Sequence, residues 1–268
     1  MKRHMIVHFK SRLKTSSNHS QRSLSVRIGF SALLALILLT VTTRPVHAFR
    51  EDPWGKDYKT WTNEDVQKIL SESPWVKMVE MDAPWLKGPV HYLTPLAMDC
   101  NGRPDMTKDR TPTSWAMGST ESIVIYQVTW QSAHTIRAAK LRQAALCGKV
   151  DSERGEELLE EQPEQYIIVV NSPDMTPFDG MDEDALLKNT SLQSKKTQKK
   201  ISPESVYIQR SGKTVYSLTF KFPRKTDSGE PWISTDDKEI EFVAQSGKFN
   251  MKAKFQPPKM AGKTGLDL

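Results

Sequence analysis

Apolar and polar positions alternate differently in the two halves of the chain, first with helical and then with strand periodicity. Thr62 with Asp65 three residues on, then Val66, Ile69 and Leu70 as an apolar stripe, predicts a helix that stops at Pro74. Residues 75–81 (WVKMVEM) predict a strand, and 82–118, rich in proline and glycine, a long loop. SIVIYQVTW at 122–130 is the strongest strand signal. Ser132 then offers an N-cap for AHTIRAAKLRQAAL, which reads as helical up to Gly148. An acidic helix over 152–161 ends at Pro163, YIIVVN at 166–171 reads as a buried strand, and 182–193, with Ala185, Leu186, Leu187 and Leu192, predicts a further helix.

From there the pattern is purely β. SVYIQR and TVYSLTFKF flank Ser211-Gly212-Lys213, and EIEFVAQ and KFNMKAKF flank Ser246-Gly247, which makes two C-terminal hairpins. Period-two alternation puts Tyr216, Leu218, Phe220 and Phe222 on one face, and Phe249, Met251, Ala253 and Phe255 on another. About four helices with these strands predict an α+β fold built on a largely antiparallel sheet.

The first 48 residues follow a different logic. Lys2, Arg3, Lys10, Arg12, Lys14, Arg22 and Arg27 carry no accompanying carboxylate, and a 14-residue apolar run follows from Ile28 to Val41. Val46 and Ala48 then fit the −3 and −1 positions of a cleavage site, so 1–48 is expected to be a secretory signal peptide cut after Ala48. The apolar run falls short of the roughly 20 residues a span requires. The mature chain, 49–268, is expected to be one α+β domain without a membrane span, with an irregular lead at 49–60 and a basic loop at 194–200.

That division changes the meaning of the charge. The chain has 38 basic and 32 acidic residues, for a net of +6. Eight of the basic ones, those above and Arg44, precede residue 49, which leaves 30 against 32 and a net of −2. The basic character therefore belongs to the targeting segment, and nucleic acid is not an expected partner.

Two cysteines, Cys100 and Cys147, form a candidate disulfide in an oxidising compartment, the alternative being one buried and one exposed thiol. The mature chain keeps only His91 and His134, without the short-spaced ligand pairs of a zinc site, so they are candidates for a polar site and no metal or cofactor is expected. The G-x-S-x-G elbow and the glycine-rich phosphate loops are both absent.

A Pro-Trp dipeptide occurs four times, at Trp54, Trp75, Trp85 and Trp232, where chance placement would give roughly one at most. Proline stiffens the chain beside each indole, which suits contact with a partner or a glycan, or alternatively the sealing of loops onto a sheet. Charges also segregate: Arg137, Lys140 and Arg142 lie on one predicted helix and a run of glutamates on the next, which predicts two helices with opposite charges facing each other.

Three segments, WTNEDVQKILSESPW (61–75), VTWQSAHTIRAA (128–139) and EIEFVAQSGKFNMKAKFQPPKM (239–260), resemble an uncharacterised family of exported bacterial proteins. The resemblance implies export and a single α+β unit, and it brings no activity. The expected function is a non-catalytic binding or structural domain of the cell envelope, with another envelope protein or a polysaccharide as partner. The alternatives are a hydrolase of envelope or extracellular polymer and a small-ligand carrier.

Overall fold

The computed structural model describes residues 52–89, 91–95, 100, 121–150, 152–262 and 265–268, all within the compact unit Glu51–Leu268. The expected signal segment, its cleavage site and most of the 96–120 loop lie outside the described residues. Among the described residues, four helices and twelve strands make an α+β fold with mostly antiparallel sheets and both expected C-terminal hairpins. The helices are α1 (Asn63–Glu72), α2 (His134–Leu146), α3 (Ser152–Glu160) and α4 (Glu183–Lys188). The first strands are β1 (Val76–Asp82), β2 (Tyr92–Leu93), β3 (Ile123–Trp130), β4 (Gln165–Asn171), β5 (Thr190–Ser194) and β6 (Lys200–Ile201). Then come β7 (Ser205–Ser211), β8 (Thr214–Pro223), β9 (Ile240–Ser246), β10 (Phe249–Phe255), β11 (Ala261–Gly262) and β12 (Gly265–Leu266).

One sheet runs β1-β3-β4-β8-β7, with β2 pairing parallel to the start of β3, and a second runs β10-β9-β5-β6. They stack because each carries one apolar face. Val124, Tyr126, Val128 and Trp130 of β3 and Leu218, Phe220 and Phe222 of β8 are buried against Phe242, Phe249, Met251 and Phe255 of the second sheet. Ring pairs cross the interface: Trp130 with Phe255 at 5.2 Å, Tyr126 with Phe249 at 5.2 Å, and Phe220 with Phe242 at 5.6 Å.

Helix α1 forms as its capping pattern predicts. Thr62 and Asp65 cap each other, and Val66 and Ile69 are buried. At α2 the expected cap is corrected. Ser132 has turned to the sheet, where its hydroxyl accepts the Ile167 N–H at 3.1 Å, and the Asp267 carboxylate accepts the N–H groups of His134 and Thr135 instead. The basic and acidic helices meet as expected, and the charge of Glu161 acts on Arg137. Arg137 donates to the carbonyls of Leu158, Leu159 and Glu161 at the end of α3, where the helix leaves acceptors unpaired.

Three further expectations are revised. The 182–193 helix stops at Lys188, and Leu192 lies in β5, buried where it pairs with Phe242. Strand β4 buries only Tyr166, Ile168 and Val170, so it is covered on one face rather than both. Tyr216 leaves the face of Leu218, because the β7–β8 register slips between Gln209 and Arg210 and turns Val215 inward in its place. The basic loop is the β5–β6 connection, with Ser194 and Lys200 already in strands.

Candidate functional site

The two histidines do not share a site. The His91 carbonyl accepts the Ile123 N–H at the start of β3, and His134 begins α2 just beyond the other end of that strand. Eight residues at about 3.3 Å each separate them by roughly 25 Å. Among the described residues, no three histidine, cysteine, aspartate or glutamate side chains gather as a metal set.

The Pro-Trp indoles are likewise dispersed. Trp75 is buried and donates its indole N–H to the Asp267 carbonyl at 2.6 Å, with Trp54 edge-on to it at 6.3 Å. Trp85 donates to Asp174 at 3.2 Å and packs on Phe249, at the opposite end of β10 from Phe255. Trp232 stands apart, half-buried, with the Lys199 ammonium 5.9 Å from its ring. Each indole closes a loop onto the sandwich. The four make no common platform.

Cys100 and Cys147 form a disulfide across 47 residues, tying the chain between β2 and β3 to the end of α2. A disulfide of this kind fits an oxidising compartment. No helix among the described residues is long and apolar enough to cross a membrane.

The feature that sequence reasoning missed is the edge of the first sheet. Among the described residues β7 is hydrogen-bonded on one side only, to β8. The other sheet margins are guarded differently. Strand β1 carries Lys77, Glu80 and Asp82, β10 carries Lys252 and Lys254, and β6 has only two residues. Charges and short length are the usual protections of an edge. Ser205-Val206-Tyr207-Ile208-Gln209 has neither; α4 and the segment before it pack alongside β7 and leave Tyr207 67% exposed.

Beside this edge lies a cleft of about 360 Å³, bounded by Gly180–Glu183 ahead of α4 and by Val206, Tyr207, Ile208 and Arg210. Buried Val206 and half-buried Ile208 and Met181 supply apolar lining. The rim is set by two anchors: the Asp182 carboxylate caps α4 through the Ala185 N–H at 2.8 Å, and Arg210 donates to the Met181 carbonyl at 3.4 Å. Asp182 and Glu183 leave the rim acidic against one arginine. The volume is near the lower limit for ligand pockets and suits one or two apolar side chains. The uncharged run Ser205–Gln209, set between Glu204 and Arg210, was the sequence signal that could have marked this strand.

Comparison with known proteins gives no matching family model, no similar curated protein and no similar solved structure. The resemblance read from the sequence therefore assigns no role to any of these residues.

Proposed function

We propose that this chain is exported and works as a non-catalytic binding domain, capturing an extended segment of another envelope protein by strand addition along β7. The observation that carries the reading is the one-sided edge of β7, uncharged from Ser205 to Gln209, beside a partly apolar cleft. An edge strand offers alternating N–H and C=O groups along its length, and another strand is the ligand that matches them. Backbone pairing supplies affinity, and side chains entering the cleft supply selection. The acidic rim favours a segment with a basic residue near its apolar positions.

Export is supported by the layout of residues 1–48 and by the Cys100–Cys147 disulfide. The hydrolase alternative has less behind it, since the two histidines lie at opposite ends of β3. A small-ligand carrier would call for a larger cavity than the β7 cleft.

A photo-crosslinking amino acid placed at Tyr207 in living cells tests the reading, with Asn250 on the second sheet as the control position. A discrete polypeptide adduct from 207 and none from 250 is expected. Equal adducts from both positions, or none from 207, would count against strand addition.

A further inference from the structure

The outer face of the second sheet has a different character. Cross-strand pairing aligns Lys254, Glu241, Gln193 and Lys200 in one row over β10, β9, β5 and β6. Lys252 lies two residues from Lys254 and pairs with the Glu241 carboxylate at 3.7 Å. Lys195 and Lys254 share one oxygen of Glu239, at 3.4 and 3.9 Å. With Lys199 in the turn, five lysines face two carboxylates, so the surface keeps a positive excess.

The turn that carries Lys195 and Lys199 is held in place from below. Asp237 is only 4% exposed, and it accepts the Ser194 hydroxyl at 2.5 Å and the Ser234 N–H at 3.0 Å. Ser194 in turn accepts the Thr197 N–H at 3.2 Å. The same clasp fixes the 231–238 loop, so that Trp232 stands beside Lys199. This basic surface is built on a sheet and a buried carboxylate.

We propose that this face binds an acidic polysaccharide, a chain of sugars bearing carboxylates at intervals. The spacing of the charges argues for that class. Lys252 and Lys254 are about 7 Å apart along their strand, and Lys254 and Lys200 about 14 Å apart across three strand spacings. Duplex nucleic acid presents one charge per about 1.7 Å and is matched by dense fields of one sign. Here Glu239 and Glu241 interrupt the lysines, and Gln193, Gln245 and Asn250 offer amides suited to hydroxyl-rich rings. A membrane surface fits less well, because among the described residues the large exposed apolar side chains, Met78, Leu146, Val150, Leu158, Tyr207 and Tyr216, all lie outside the second sheet. The site lies on the other sheet from β7, so this proposal stands or falls separately from strand addition.

The test is titration of the purified protein with polygalacturonate, with neutral dextran, single-stranded DNA and phosphatidylglycerol vesicles as comparison probes. Polygalacturonate should bind in a salt-sensitive manner and dextran should not. The triple variant Lys199→Ala/Lys200→Ala/Lys254→Ala should bind at least tenfold more weakly, while Lys213→Ala/Lys221→Ala, on the β7–β8 hairpin, should bind as the parent does. Trp232→Phe should keep the fold, which circular dichroism would verify, and should lose the fluorescence change that polygalacturonate induces. Failure of the parent protein to bind polygalacturonate would overturn the proposal. So would equal or tighter binding to DNA or vesicles, or equal weakening by the two lysine variants.

Discussion

The Trp75 indole N–H donates to the Asp267 carbonyl at 2.6 Å across 192 residues of sequence, while the Asp267 carboxylate caps the first turn of α2. One residue thus joins the loop before β1 to the helix after β3. Asp267→Ala should lower stability by about 1–2 kcal/mol, the usual range for a lost helix cap, and Asp267→Asn, which retains a capping oxygen, should cost less. Urea denaturation midpoints would check this. Equal midpoints for the parent and the alanine variant would show that the cap contributes nothing.

The Cys100–Cys147 disulfide restrains the unfolded chain over a 47-residue separation. In the loop-entropy account that is worth up to about 4 kcal/mol. The double variant Cys100→Ser/Cys147→Ser should melt well below the oxidised parent, and reductant should bring the parent down to the same melting temperature. A variant as stable as the oxidised parent would mean that the tether constrains nothing.

Tyr126 is fully buried, and its hydroxyl has no hydrogen-bond partner among the described residues. Tyr126→Phe should therefore leave stability unchanged or raise it by about 1 kcal/mol. Burial foremost, then the negative charge of Asp174, raises the phenol above its ordinary pKa, and burial raises Tyr166 as well against the pull of Arg224. Unfolded tyrosines ionise near pH 10. The stability held by these two neutral phenols is complete below that pH and is lost as pH climbs towards their folded values. The expected slope is at most about 1.4 kcal/mol per pH unit for each residue. Lys77 and Lys140, whose ammonium groups are held below their ordinary pKa by burial, act in the opposite direction. The check is therefore the difference between parent and Tyr126→Phe over pH 9 to 11, where the variant should lose less stability. A steeper decline in the variant would contradict the assignment.

Much of the architecture was legible because it rests on local signals. The Thr62–Asp65 box, the Gly212 and Gly247 turns and the alternation of Phe249 to Phe255 each need only a few neighbouring residues. Legibility ended where distant groups decide. The cap of α2 comes from Asp267 rather than Ser132, and no local pattern announces it. Leu192 fits a helical stripe as well as a strand, and pairing with β9 decides the matter. The slip that frees Tyr216 depends on the β7–β8 register, which is a property of the pair. The candidate site was hidden for the same reason. Whether a strand is an edge is settled by the whole sheet, so the sequence offered tryptophans and histidines as candidates and passed over β7.

The most direct test of the central claim is amide hydrogen exchange at residues 205–209 in the presence of a synthetic peptide of alternating valine and threonine flanked by lysines. The same peptide with acidic flanks and a proline-interrupted version serve as controls. Strand addition along β7 predicts slowed exchange of edge amides within 205–209 with the basic peptide, less with the acidic one and none with the proline-interrupted one. Unchanged exchange across β7 with the basic peptide, or equal slowing by all three peptides, would contradict the account.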